Sequence, residues 1–211
     1  MNLLIATILI GFFPLALVYL LQIQKAESVV PVVPFLMLVF FASLYELIGS
    51  YYLAIDVKYW FAVYNLFVFL VLHYFYYSLL HQKFKILFYG FTLVFLVLSF
   101  YLFIQYDLSE VFVFSSYFHV LQTIIILTFS ALWFKDVFEK LEISNLLQSP
   151  SFYFVSGLIL YYCSTVFLFL MHDLLYGADK SKAEEIWLLN IIFNLLLRSL
   201  LIIGVWKART K

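Results

Sequence analysis

Charge is scarce in this chain. Only 11% of its 211 residues are Asp, Glu, Lys or Arg and 66% are hydrophobic, where soluble domains carry about 25% charged and about 45–50% apolar residues. The apolar residues surround each segment instead of forming one stripe along it, which excludes an ordinary soluble globule and suits segments facing lipid or other apolar helices. Charge of either sign is not in excess: 12 Lys and Arg balance 12 Asp and Glu, which leaves no electrostatic basis for binding nucleic acid. The one cysteine, Cys163, lies inside an apolar run. It excludes a disulfide framework and reads as a small buried apolar residue.

Reaction signatures are missing too. The chain holds no HExxH zinc motif, no GxxxxGK[ST] phosphate loop and no GxSxG nucleophile elbow. Its four histidines fall at mismatched depths, which argues against haem. Glu46, His119, His172 and Asp173 are scattered without metal-ligand spacing. Neither a cofactor nor a metal is expected, and an enzyme is the less favoured class.

What the sequence has in plenty is long apolar runs, and about 20 such residues cross the roughly 30 Å of bilayer hydrocarbon. Seven runs qualify: residues 3–21, 30–51, 59–80, 86–105, 111–134, 152–171 and 186–205. The first lacks a positively charged leader and is too long for a signal-peptide core, so it reads as a retained span. Pro31 and Pro34 fall in the opening of the second, where a missing N–H costs little. No stretch alternates polar with apolar residues as a membrane barrel strand must. The expected fold is an all-α membrane protein, a single seven-transmembrane-helix bundle over residues 1–211, in a plasma or inner membrane.

Lysines orient it. Lys58, Lys180 and Lys182 fall on the side of the N-terminus; Lys25, Lys83, Lys85, Lys135, Lys140, Lys207, Arg209 and Lys211 fall on the other. The positive-inside rule then places the N-terminus outside and the C-terminus in the cytoplasm. Trp60 and Trp187 come at outer helix ends and Trp133 and Trp206 at inner ends, the level at which tryptophan collects. The outer loops hold seven acidic residues, Glu184 and Glu185 among them; those two sit at a helix start, which favours carboxylates without any catalytic role.

The polar residues inside the runs carry the functional reading. Asn190, Asn194 and Arg198 are spaced by four and form one stripe on the last helix. An arginine at mid-membrane costs at least about 2.5–3.5 kcal/mol, so it either snorkels to the headgroups or turns inward to a partner; an inward stripe is favoured. Ser43, Glu46 and Ser50 share a face of the second helix. Asn65, His119, Ser164 and Thr165 fall at comparable depth in the outer half, with His73 deeper. A polar pocket in the outer half follows, made of Glu46, Asn65, His119, Asn190, Asn194 and Arg198. For the amides and hydroxyls the plain alternative is interhelical hydrogen bonding, worth about 0.6 kcal/mol each. Glu46 points to function, because a lone intramembrane carboxylate needs a cation, a proton or water.

Seven helices with an outside N-terminus is the topology of seven-helix receptors and rhodopsins, but the last helix lacks a retinal-binding lysine and neither a DRY nor an NPxxY motif occurs. It is also that of three-plus-one-plus-three transporters with parallel repeats. Sliding helices one to three onto five to seven sets Asn65 on Asn190 and His73 on Arg198, but the flanks match poorly and no PQ dipeptide occurs. No family is assigned. The favoured function is a receptor-like or sensory module with an unknown small-molecule ligand, relaying to a cytoplasmic partner protein. A small-solute or proton-coupled transporter and a non-catalytic subunit of a membrane complex are the alternatives.

Overall fold

The computed structural model describes residues 2–55, 57–80, 83–105, 111–140, 145–178 and 180–209. Among them the chain forms seven helices and no strand: α1 Asn2–Leu20, α2 Val33–Leu44, α3 Val57–Leu79, α4 Lys85–Gln105, α5 Val111–Lys140, α6 Pro150–Ala178 and α7 Lys180–Ala208. Six are long and apolar enough to cross a bilayer, counting α2 with the helical turns that extend it; the apolar part of α3 is the shorter Val63–Leu79. The architecture is a helical membrane bundle.

Helices outrun their apolar stretches. α5 continues to Lys140, with Lys135 and Glu139 paired at 3.7 Å one turn apart, so much of the segment read as a polar connection after residue 134 is helix. Hydropathy marks where a helix meets lipid, not where it ends. Asn145 then caps a short 3₁₀ turn, Leu146–Gln148, by accepting from the Leu147 N–H, and Pro150 opens α6. Beyond Leu44, α2 continues as a π-helix, Tyr45–Tyr52. Its end is closed by Leu53 N–H to Ile48 O at 3.0 Å and Ile55 N–H to Gly49 O at 2.9 Å.

None of the described glycines closes a turn. The left-handed turn positions are held by Gln22, Ala54 and Phe84 (φ 55°, 50° and 58°), and no described glycine has positive φ. Gly157 and Gly204 instead lie in helices at crossings, against Leu197 and Leu200 and against Phe154 respectively.

Six helices close a ring, each packing on the next in the order α1, α2, α3, α5, α6, α7 and back to α1. α4 lies outside it. Its buried positions, Phe88, Phe95 and Leu102, recur every seventh residue, while Ile86, Tyr89, Phe100 and Phe103 are exposed. The seam is aromatic: Phe95 stacks on Phe69 of α3 at 3.8 Å and Phe88 on Phe129 of α5 at 4.1 Å. The half of the ring away from the N-terminus is filled by Tyr76, Phe129, Phe154, Ile126, Leu158 and Leu201, all fully buried. Tyr76 Oη and Ser130 Oγ satisfy each other there at 2.7 Å. Trp133, placed at an interface by sequence, is turned into this core at 5% exposure, since α5 runs almost two turns beyond it. Trp206 is exposed, with Arg209 5.2 Å over its ring.

Candidate functional site

The other half of the ring encloses a cavity of about 910 Å³. Its walls come from all six ring helices and from none of α4. They use the first turns of α1 and α3, positions 115–122 of α5, 161–169 of α6 and 187–198 of α7, and on α2 both Phe35, Val39 and Ala42 and the π-helical end. Most of its walls lie in the half of the bundle that holds the N-terminus, and Phe35 and Val39 carry it along α2 toward the other end. Glu46, Asn65, His119, Asn190, Asn194 and Arg198 all line it.

Arg198 is the deepest of these and only 3% exposed. Its guanidinium reaches α1, donating from Nη1 to the Thr7 carbonyl, and α2, where Nη2 stands 3.9 Å from Glu46 Oε2. Side chains on a helix lean toward its N-terminus. The N-terminus of α7 is at the cavity end and that of α2 at the opposite end, so Arg198 leans toward the cavity mouth and Glu46 leans away from it. They meet although their backbone levels differ. At 3.9 Å the contact is ionic without a direct hydrogen bond. Arg198 Nε and the Ser43 and Ser50 hydroxyls are buried without partners, and the Glu46 side chain is 38% exposed. Glu46 and Ser50 line the cavity, so that exposure faces its interior.

The floor of this arrangement depends on Gly11. A Cβ there would collide with the Ser43 hydroxyl and with the Arg198 guanidinium, so α1 can pass over the arginine only without a side chain at this point.

His119 is held between rings, stacked on Tyr162 at 4.8 Å and Phe169 at 4.0 Å. Its Nε2 lies 2.8 Å from Thr165 Oγ1. Thr165 donates its single hydroxyl proton to the Tyr161 carbonyl at 2.7 Å, so His119 carries its proton on Nε2 and donates it to Thr165. That fixes the tautomer and leaves Nδ1 as an acceptor. Asn65 donates to Ser115 Oγ and to the Phe61 carbonyl, both at 3.0 Å, and its backbone carbonyl accepts from Gln122 Nε2 at 3.2 Å. Tyr161 donates to Asn190 Oδ1 at 3.3 Å.

His73 stands apart from the cavity. It sits between α3 and α4 with Nε2 3.4 Å from Thr92 Oγ1 and Phe88 edge-on at 4.9 Å. The repeat alignment that paired Asn65 with Asn190 and His73 with Arg198 thus holds for cavity lining at the first pair and breaks at the second. The side chains of His172, Asp173, Glu184 and Glu185 lie outside the described residues.

Sequence reasoning missed Gln122, Ser115, Tyr64 and Tyr161 as wall residues. A signal existed for two of them: Ser115, His119 and Gln122 follow i, i+4, i+7 spacing and share one face of α5. The tyrosines had none, because aromatic residues are abundant on every face.

Chemically the site presents one cation, one carboxylate, several amides and an imidazole acceptor inside largely aromatic and aliphatic walls. Among the described residues it pairs no nucleophile with a base. Its donors and acceptors suit holding and orienting a ligand. Compared with known proteins, the chain matches no family model, no curated protein and no solved structure.

Proposed function

We propose that the chain is a receptor-like sensory module of a multi-pass membrane protein. A small-molecule ligand held in the cavity changes how the six ring helices pack, and a protein partner reads that change at the opposite end. One observation carries this reading: polar side chains from α2, α3, α5 and α7 converge in a cavity of about 910 Å³, within the roughly 300–1,000 Å³ range of ligand sites. The other half of the ring is filled by fully buried side chains, which suits a relay through packing better than a through-path for solute. The lysine distribution supports an outside N-terminus, so the cavity would face outward and the partner would be cytoplasmic. The partner's landing surface would be the basic inner end, including Lys135, Lys207 and Arg209.

The test is mild crosslinking of the full chain in its native membrane, followed by identification of what co-purifies. A cytoplasmic partner whose yield changes when Arg198 is replaced supports a sensor. Purified protein that instead drives solute or proton flux in proteoliposomes, abolished by Glu46→Gln, would establish the transporter alternative. The two three-helix sets on either side of α4 favour that alternative, since they repeat the same up-down order around the cavity.

A further inference from the structure

A second depression lies on the outside of the ring, between α2 and α3, with a volume of about 680 Å³. Its lining is apolar: Met37, Phe41, Ile48, Leu53, Ile55 and Phe67 are among its walls, each at least 36% exposed. In a bilayer this groove is filled by hydrocarbon. Of the adjacent pairs in the ring, α2 and α3 pack most sparsely.

Groove and cavity share a wall. Trp60 lines both. It stacks on Tyr45 at 4.8 Å and 13° on the groove side and tilts against Tyr64 at 5.5 Å on the cavity side. The π-helical segment is part of the same partition: Tyr45, Ile48 and Gly49 face the groove, while Glu46, Leu47 and Ser50 face the cavity. π-helical turns are rare and concentrate at functional sites. At this level the partition between groove and cavity consists of the Tyr45–Trp60–Tyr64 aromatic row and one irregular helical stretch.

The polar end of the cavity has open valences. Arg198 is almost wholly buried, yet its Nε is without a partner and its ionic contact with Glu46 is too long to be a hydrogen bond. The pair is already neutral overall. A charged head placed beside it would leave one charge uncompensated among mostly apolar walls. An uncharged head that accepts from Arg198 and donates to Glu46 satisfies both.

We propose that the ligand is a single-chain amphiphile with an uncharged hydrogen-bonding head, a hydroxyl or an amide, that enters from the bilayer between α2 and α3 past the Tyr45–Trp60 stack. The head settles at Arg198 and Glu46 and the chain lies along the aromatic wall toward the groove. This rests on the receptor reading above and supplies the ligand class and route it lacks.

The experiment uses the full chain in lipid nanodiscs and a monoacylglycerol carrying a diazirine in its acyl chain. The free fatty acid of the same chain is the charged comparison, and a water-soluble short-chain monoacylglycerol is the route comparison. Photolabelled residues are mapped by mass spectrometry over time. The long-chain monoacylglycerol is expected to label the cavity wall, with saturation by unlabelled competitor. Arg198→Met should lower cavity labelling about tenfold or more, the worth of a hydrogen bond to a charged group, while groove labelling persists. Should that variant not fold, Arg198→Lys, which loses Nε and the planar fork, reports the same contact. Met37→Trp, at an exposed groove position, should slow long-chain arrival and leave the short-chain probe unaffected. Labelling confined to lipid-facing surfaces, preference for the fatty acid, or equal slowing of both probes overturns the proposal. If the short-chain probe still labels the cavity in those cases, the receptor reading stands without it; if no probe reaches the cavity and partner capture ignores Arg198, both fall.

Discussion

Gly11 of α1 stands where Arg198 of α7 must pass: a Cβ on it would lie 2.5 Å from Nη1. The most polar contact in the bundle thus depends on the smallest residue on the opposite helix. Gly11→Ala should destabilise the bundle by about 1–3 kcal/mol, the usual cost of overpacking a fitted site. On exposed α4, a Cβ added at Gly90 would meet nothing within 4 Å. There the same exchange should be neutral or stabilise by about 0.5–1 kcal/mol, since alanine is the better helix former. Thermal unfolding of both variants in detergent checks the contrast.

Replacing one member of the Glu46–Arg198 pair should cost more than replacing both. Arg198→Met leaves Glu46 facing the cavity without its cation, and Glu46→Gln leaves a 3%-exposed guanidinium with only the Thr7 carbonyl. Breaking a fully buried pair costs about 3–5 kcal/mol; with Glu46 38% exposed the single losses should be smaller. A double-mutant cycle by denaturant unfolding measures the coupling, and an additive result would show that the two do not sense each other.

His119 offers a separable packing and hydrogen-bonding role. His119→Phe keeps a ring between Tyr162 and Phe169 and removes only the donor to Thr165, whose hydroxyl still reaches the Tyr161 carbonyl. The expected loss is about 0.5–1.5 kcal/mol. His119→Ala opens a gap between the rings and should lose clearly more, as large-to-small core exchanges do at about 2–5 kcal/mol. Equal losses in the two variants, measured by unfolding, would contradict this division.

Ala54 closes the π-helical end of α2 at φ 50°, a conformation that costs an L-residue with a side chain roughly 1–2 kcal/mol. Ala54→Gly relieves that strain, offset in part by the greater unfolded-chain freedom of glycine. A gain of up to about 1 kcal/mol is expected, read as a raised midpoint of thermal unfolding.

The bundle was legible because hydropathy speaks directly to the solvent around each helix. Seven apolar runs correspond to seven helices, and the four-residue spacing of Asn190, Asn194 and Arg198 was enough to turn that stripe toward a common interior. Helix ends were less legible. The stretch from Lys135 to Lys140 is helical through backbone hydrogen bonding and side-chain pairing that hydropathy does not register. The Arg198–Glu46 contact was obscured by counting depth along helix axes, because axial counting ignores that side chains on antiparallel helices lean in opposite directions. Ring order was not legible at all: which helix stands outside depends on how side chains fit across helices, and α4 is no less apolar than its neighbours.

That α4 supplies no wall to the cavity has a consequence for how such a chain can change over time. Its lipid-facing positions answer only to the requirement of being greasy, whereas Gly11, Trp60, His119 and Arg198 each answer to a particular neighbour. Substitutions should accumulate fastest along that outlying rod, and any two descendants of this chain should differ there first.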